Sequence, residues 1–194
     1  MSHLSLHKFS LLSSAEKRYL ASVVSDLPNR SVCVESGTYF GGGTAIIAEA
    51  NPNVEVHSFD PYDDFPYSPL HHAFLKVLGD PPNRSIDVVK KHLAGYPTIH
   101  LHHVLDKVNW TSAVDLYFED GCHKDPELKD NLDHWLPKVR IGGTALFHDY
   151  RPLLPRSHRY RFPDVEAHVE RLLSSGEWVY HNSVEALIGL KRTV

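Results

Sequence analysis

The feature that most constrains the fold is a glycine-rich stretch at residues 32–44, Val-Cys-Val-Glu-Ser-Gly-Thr-Tyr-Phe-Gly-Gly-Gly-Thr. A short apolar run ends in Glu35, a loop with four glycines follows, and residues 45–50 are helix-forming. An apolar strand that turns directly into a helix is typical of strand–helix–strand units, in which a helix joins two parallel strands. This stretch therefore predicts an α/β fold.

The same turn also predicts a ligand site. Glycines let the backbone approach a ligand closely, and the amino end of the following helix points its N–H groups at that ligand. The carboxylate of Glu35 would repel a pyrophosphate, but it would accept hydrogen bonds from ribose hydroxyls or from an ammonium group. A nucleoside with a positive charge and no phosphate is the ligand that suits this turn.

Composition and charge narrow the class of protein. The chain has 194 residues, 42% of them hydrophobic and 23% charged, which predicts a single globular domain over residues 1–194. A formal charge of −4 gives no general attraction to nucleic acid or to a membrane surface, so neither partner is expected. Without a long apolar run, a signal-peptide pattern or a set of paired cysteines, the simplest prediction is a cytoplasmic protein.

Runs typical of strands alternate with runs typical of helices along the whole chain. The predicted strands are 32–35, 54–59, 98–104, 114–118, 144–147, 177–182 and 185–191. The predicted helices begin with a capping box at Ser13 and Glu16, within an N-terminal helical cap at 1–28, and continue near 43–50, 70–78, 85–94, 128–136 and after 163. Asn182 and Ser183 are interpreted as the turn of a final hairpin.

This alternation predicts a Rossmann-like, doubly wound sheet of seven mostly parallel strands. Helices should cover both faces, and the C-terminal hairpin should add an antiparallel strand. Polar residues follow four of the strands, and the carboxyl ends of parallel strands meet at one edge, where open α/β sheets bind ligands. We therefore expect these side chains to converge: Glu35, Asp60, Asp120, His148 and Asp149.

Two segments resemble class I S-adenosylmethionine-dependent methyltransferases, above all the small bacterial O-methyltransferases that include the cephalosporin and macrolide sugar enzymes. The first is 35–44, with Asp60 following 25 residues after Glu35. The second, more specific segment begins Asp-Leu-Tyr-Phe-Glu-Asp-Gly-Cys-His, and its blocks are 115–123, 130–137, Gly142-Gly143 and 147–150. The resemblance spans roughly residues 30–150. It implies S-adenosylmethionine as cofactor and methyl transfer to a hydroxyl group of a small molecule.

The resemblance also implies which residues bind the cofactor. Glu35 and Gly37 would hold the methionine portion, Asp60 the ribose hydroxyls, and the region around Leu105 and Asp106 the adenine. The cofactor-binding set is Glu35, Gly37, Tyr39, Gly41, Asp60, Asp106 and Asp120. For Asp60 the alternative is a purely structural cap of the loop at Pro61.

A metal site is a further implication, because magnesium-dependent relatives carry an acid after strand four and an acidic pair after strand five. The matching residues here are Asp120, His148 and Asp149. Cys122 and His148 depart from the carboxylate-rich pattern of those relatives. Magnesium prefers oxygen ligands, so this set would suit manganese, iron or zinc better. A divalent metal such as magnesium or manganese is one prediction, and a hydrogen-bonded polar pocket is the alternative.

The acceptor hydroxyl must lose its proton for methyl transfer to occur. His123, three residues after Asp120, is the predicted general base, since an imidazole titrates near working pH. His148 is the rival base at the same edge. A metal held by Asp120 and Asp149 would lower the pKa of the hydroxyl and orient it.

Residues 151–163 form a predicted basic lid loop containing Arg151, Arg156, Arg159 and Arg161. Such a loop would recognise a phosphate or carboxylate on the acceptor, and a solvated loop is the alternative. The expected partner is a small hydroxylated acceptor, with an anionic group as an option. A homodimer would help to complete the pocket.

Two other functions remain open at this stage. One is a catalytically inactive protein that binds S-adenosylmethionine or S-adenosylhomocysteine. The other is a nicotinamide-dependent oxidoreductase, which is disfavoured because the turn lacks the G-x-G-x-x-G spacing and Glu35 crowds the pyrophosphate position.

Overall fold

A computed structural model describes residues 10–62, 85–151 and 162–194. All seven of its strands belong to one sheet, in the order β3-β2-β1-β4-β5-β7-β6. The strands are β1 (Val32–Ser36), β2 (Glu55–Asp60), β3 (Ile99–His103), β4 (Val114–Glu119), β5 (Val139–Phe147), β6 (Trp178–Val184) and β7 (Leu187–Arg192).

The first five strands pair in parallel, and β7 runs antiparallel to both of its neighbours. The central strands β1 and β4 are almost continuously buried, as expected for parallel strands covered on both faces. The predicted fold, a doubly wound seven-stranded sheet with an antiparallel C-terminal strand, is confirmed.

Five α-helices lie in the described part of the chain. They are α1 (Ser14–Ser25), α2 (Gly42–Ala50), α3 (Ile86–Leu93), α4 (Glu127–Trp135) and α5 (Pro163–Ser175). Short 3₁₀ segments span Val104–Asn109 and Leu136–Lys138. Within the described residues, we find no helix with the length and apolar character needed to cross a bilayer.

The helices cover the sheet in two layers because side chains alternate along each strand. On one face, α1 and α2 pack on inward residues such as Cys33, Leu116 and Leu146. On the other face, α4 and α5 pack on Val34, Tyr117 and Ala145, with Trp135 of α4 fully buried among them. These two helix layers hold the sheet in place, and the candidate site lies at the carboxyl ends of its parallel strands.

Two predictions about strand ends were wrong. β5 begins at Val139 rather than 144, because the Gly142-Gly143 pair forms an irregularity inside the strand, opposite the point where the β4 register shifts. The final turn lies at 185–186 rather than at Asn182-Ser183, and Glu185 takes the left-handed backbone conformation there, with φ of 53°. The predicted helix at 70–78 lies outside the described residues.

Candidate functional site

The glycine turn connects β1 to α2 by a backbone path that most residues avoid. Gly37 and Gly41 have φ of +99° and +87°, in the region that favours glycine. Tyr39, between them, also has a positive φ of 51°. The N–H of Gly37 donates to the carbonyl of Phe59 on β2 at 2.9 Å, so the turn is fastened to the neighbouring strand.

Gly37 also lies directly against the loop that follows β4. A Cβ added at Gly37 would lie 2.6 Å from the carbonyl carbon of Asp120 and 2.7 Å from the Cα of Gly121. The N–H of Asp120 in turn donates to the carbonyl of Ser36 at 2.9 Å. The turn predicted to bind the cofactor and the loop predicted to carry catalytic residues are therefore in contact.

Glu35 is buried beneath the turn, with 1% of its surface exposed. Its Oε2 accepts hydrogen bonds from the hydroxyls of Thr44 and Ser58, both at 2.5 Å. Its Oε1 has no hydrogen-bond partner among the described residues. Burial raises the pKa of Glu35 to about 8, although the two hydroxyls oppose that rise.

Asp60, at the end of β2, is also buried and holds two backbone segments. Its Oδ2 accepts from the N–H of Tyr39 at 3.0 Å, and its Oδ1 accepts from the N–H of Tyr62 at 2.6 Å. Asp60 therefore fixes the glycine turn and the start of the next loop. The structural cap foreseen as its alternative role is present, and its role toward a ribose stays a prediction.

The segment expected near the adenine follows β3, whose last residue, His103, pairs with Asp60. Asp106 is exposed, and its Oδ2 accepts from the N–H of His103 at 3.1 Å. Lys107 is buried and donates to Asp130 at 2.5 Å and to the side-chain oxygen of Asn131 at 2.6 Å. This lysine ties the segment to α4.

The carboxyl ends of β4 and β5 bring together the four residues predicted for catalysis and metal binding. Nδ1 of His148 lies 2.8 Å from Oδ1 of Asp120, and Nε2 of His123 lies 2.8 Å from Oδ2 of Asp149. Oδ2 of Asp149 is also 3.6 Å from Nδ1 of His148. The site thus contains two adjacent histidine–carboxylate pairs.

The electrostatics of these pairs favour charged forms. Burial alone would lower the pKa of His148, but Asp120 outweighs it and holds this pKa well above its usual range. Burial likewise opposes protonation of His123, yet Asp149 raises its pKa above the usual value. Burial would raise the pKa of Asp149, whereas the two histidines lower it.

One group of three side chains in this site has the spacing of metal ligands. Asp120, His123 and His148 can each offer one ligand atom, all within 4.8 Å of one another. The prediction from the sequence names Asp120, His148 and Asp149 as metal ligands and His123 as the general base. In the structure Asp149 lies next to this group, facing His123.

Glu16 is a site residue that the sequence reasoning missed. It accepts from the N–H of Ser13 at 2.8 Å, which completes the predicted capping box, and from the N–H of Ala186 at 2.9 Å. Its Oε2 also lies 3.6 Å from Nε2 of His148. Burial would raise the pKa of Glu16, but His148 and the N–H donors lower it to about 2. The capping box already accounts for a glutamate at position 16, so no pattern in the sequence indicates its contact with His148.

Glu119, the last residue of β4, shapes the loop that carries His123. Its Oε1 accepts from the N–H groups of Gly121 and Cys122 at 3.0 and 3.2 Å, and its Oε2 accepts from the hydroxyl of Tyr117. Burial raises the pKa of Glu119 to about 7 and that of Cys122 to about 11. Cys122 is thus a protonated thiol at neutral pH.

The predicted basic lid is described at its two ends. Arg151 pairs with Glu166 at 2.7 Å and with Glu170 at 2.8 Å, both on α5. The ring of Phe162 lies 4.4 Å from that of His123, measured between centroids. The other three arginines of the lid, at 156, 159 and 161, lie outside the described residues.

Comparison with known sequences decides the family. Residues 34–150 match a family described as a methyltransferase domain. The chain belongs to this methyltransferase family. The match confirms the predicted resemblance and contradicts the nicotinamide-dependent alternative. No curated protein matches this methyltransferase in sequence.

Solved structures share the fold of this methyltransferase at low sequence identity. The O-methyltransferase TomG from Streptomyces achromogenes, involved in tomaymycin synthesis and solved with S-adenosylmethionine, is 14% identical, with a TM-score of 0.65 over 99% of this chain and 88% of its own. A Podospora anserina methyltransferase bound to S-adenosylhomocysteine is 13% identical, with a TM-score of 0.63 over 95% and 80%.

A Streptococcus thermophilus rRNA methylase is also similar, with 14% identity and a TM-score of 0.58 over 95% of this chain and 100% of its own. The similar proteins thus include one involved in tomaymycin synthesis and one described as an rRNA methylase. The shared fold does not determine the acceptor, which has to be inferred from the site.

Proposed function

We propose that this chain is an S-adenosylmethionine-dependent O-methyltransferase that acts on a hydroxyl group of a small molecule. The observation that carries the proposal is the contact between the glycine turn at Gly37 and the loop at Asp120. This contact brings a nucleoside-type turn within reach of two histidine–carboxylate pairs. Methyl transfer needs such an arrangement, because donor and acceptor must be held in line.

The residues of the turn fit S-adenosylmethionine. Glu35 offers a buried carboxyl oxygen without a partner among the described residues, which suits the ammonium group of the cofactor. The left-handed backbone at Gly37 and Gly41, which favours glycine, lets the turn pack directly against the loop at Asp120 and against Leu93. When bound, the cofactor supplies the methyl group, and two of the similar proteins were solved with this cofactor or its product.

We assign the role of general base to His123. Asp149 faces its Nε2 and would orient the ring, so Nδ1 is the atom that would accept the proton of the acceptor hydroxyl. Asp149 raises the pKa of His123 as well, so the neutral fraction of this ring would act as the base. His148 is less suited, because carboxylates face both of its nitrogens and hold its pKa well above the usual range. Phe162, beside His123, would form an apolar wall that limits the access of water.

A divalent metal of borderline character is the alternative use of the same cluster, because an imidazole nitrogen that binds a metal is not free to accept a proton. Asp120, His123 and His148, with Asp149 beside them, offer imidazole and carboxylate donors, which suit manganese, iron or zinc better than magnesium. Such an ion would lower the pKa of the acceptor hydroxyl. Both imidazoles would have to lose a proton to bind it, so metal affinity should increase with pH.

The test is calorimetry followed by turnover. The full chain should bind S-adenosylmethionine and should form S-adenosylhomocysteine when offered small hydroxylated probes such as catechol, phenol and methyl glucoside. His123→Ala should lose about 10²–10⁴-fold in turnover at unchanged cofactor affinity, whereas His181→Ala, at an exposed histidine of β6, should change neither. Absence of cofactor binding by the wild type would refute the proposal.

The metal is tested separately with manganese, zinc and magnesium salts. Asp120→Asn and Asp149→Asn should each weaken binding of whichever ion the wild type binds. Binding that is indifferent to both substitutions would rule out this cluster as the metal site.

A further inference from the structure

We propose that cofactor binding at the glycine turn is coupled to the release of a proton from Glu35, so that the affinity for S-adenosylmethionine and its product rises with pH. The inference rests on the proposed function, because it takes Glu35 as the group that faces the ammonium of the cofactor. It adds a property of the site that follows from the surroundings of one carboxyl group.

The hydrogen bonds of Glu35 are asymmetric. Thr44 and Ser58 both donate to Oε2, while Oε1 has no partner among the described residues and faces Gly43, where an added Cβ would overlap it. A carboxylate spreads its charge over both oxygens. A buried carboxylate with one bare oxygen is therefore costly, whereas a carboxylic acid carries no net charge.

The charges around Glu35 act in the same direction. The neighbouring elements present Asp60 from β2 and Asp120 from the loop after β4, and both carboxylates disfavour a third negative charge. From α2 the facing polar group is the neutral hydroxyl of Thr44. None of the described residues forms an ion pair with Glu35. Burial is the largest influence, and it raises the pKa of this group to about 8.

Ligand binding would reverse this balance. An ammonium group at Oε1 supplies the missing donor and a positive charge, so the acid gives its proton to solvent and an ion pair forms between carboxylate and ammonium. The step is a proton transfer alone. One O–H bond breaks, the buffer takes the proton, and no electron is exchanged.

S-adenosylhomocysteine is the clearest probe, because it carries the ammonium group without the sulfonium charge. Calorimetry of the full chain at pH 7, in phosphate, HEPES and Tris buffers of different ionisation enthalpy, counts the protons released on binding. With a pKa of about 8, we expect about 0.9 proton per site at pH 7, where the amino group of the ligand is still mostly protonated. Affinity should increase about 50-fold between pH 6 and pH 8.

The matched control is 5′-methylthioadenosine, which keeps the nucleoside and the thioether but lacks the amino acid. It should bind the wild type without proton release and with little dependence on pH. Glu35→Gln keeps the shape of the side chain and removes its proton, so this variant should bind S-adenosylhomocysteine without releasing a proton.

The outcomes separate the inference from the function on which it rests. Binding of S-adenosylhomocysteine without proton release, or equal release with 5′-methylthioadenosine, would overturn the coupling and leave the proposed function standing. Release that persists in Glu35→Gln would assign the proton to another group and overturn it as well. If neither cofactor nor product binds, the proposed function itself fails. The comparison of the two ligands on the wild type holds even if Glu35→Gln does not fold.

Discussion

Gly37 gives the most specific test of the contact between the two halves of the site. Substituting alanine introduces a Cβ that would lie 2.6 Å from the carbonyl carbon of Asp120 and 2.7 Å from the Cα of Gly121. Both atoms belong to the backbone, so no side-chain rotation relieves the overlap. Ordinary contacts of a Cβ begin near 3.4 Å, and the carbonyl oxygen of Asp120 lies closer still, so the loop after β4 would have to move by roughly 1 Å.

The free-energy cost of Gly37→Ala has two parts. The φ of +99° costs an alanine about 1–2 kcal/mol. Displacement of the packed loop adds roughly 1–3 kcal/mol, as overpacking does elsewhere. The total should be about 2–5 kcal/mol in the free energy of unfolding. The same displacement moves Asp120 relative to the turn, and a shift near 1 Å can reduce turnover about 10²-fold.

Gly142→Ala is the matched control for backbone strain. Gly142 also has a positive φ, +79°, but an added Cβ there meets nothing within 4 Å. This variant should lose about 1–2 kcal/mol and keep its affinity for S-adenosylhomocysteine. Urea denaturation and calorimetry measure the two quantities. If both variants lose the same free energy of unfolding, and Gly37→Ala binds S-adenosylhomocysteine as the wild type does, the contact between Gly37 and the loop after β4 contributes neither to stability nor to binding.

Three further predictions concern single side chains. Between pH 4 and pH 8 the wild type should lose stability relative to Glu35→Gln, because the unfolded carboxyl ionises near 4.5 and the folded one near 8. Urea denaturation should show that the wild type loses about 3 kcal/mol more free energy of unfolding than the variant between pH 4 and pH 7, and an equal change in both proteins would contradict the shift. Lys107→Met should lower the free energy of unfolding by about 1–3 kcal/mol, because the buried side chain of Asn131 loses its hydrogen-bond donor. Asp130→Asn, which changes a largely exposed carboxylate, should lower it by under about 1 kcal/mol in the same urea assay. Arg151→Ala should lower the free energy of unfolding by under about 1 kcal/mol, since this exposed arginine forms surface ion pairs. A loss above about 2 kcal/mol would contradict this interpretation.

The fold was predictable because its signals are local. The capping box at Ser13 and Glu16, the apolar strands and the glycine turn each depend on a few neighbouring residues. The start of β5 was not predictable from the sequence, because Gly142-Gly143 has the composition of a turn. Only the pairing of β5 with β4 shows that the strand continues through this pair of glycines. The position of the last hairpin turn was predicted wrongly for a similar reason. Glu185 adopts a left-handed backbone conformation there, which a glutamate does not indicate.

The site was predictable to the level of which residues meet, but not how they pair. Asp120, His148 and Asp149 follow adjacent parallel strands, so their proximity follows from topology alone. The partner of each imidazole depends on side-chain geometry, which placed His123 against Asp149 and His148 against Asp120. No spacing rule links these residues, so the sequence left two candidate bases.

The contacts of Glu16 have a consequence for how the chain can be divided. The family match covers residues 34–150, yet Glu16 lies before this region and Ala186 after it. One carboxylate of α1 contacts both His148 and the backbone of the turn between β6 and β7, so α1 and this turn are held together beside the site. A fragment trimmed to the matched residues would keep the glycine turn and the two histidine–carboxylate pairs. Its His148 would lose the contact with the carboxylate of Glu16. A truncation that removes α1 or the last hairpin therefore changes the site as well as the length of the chain.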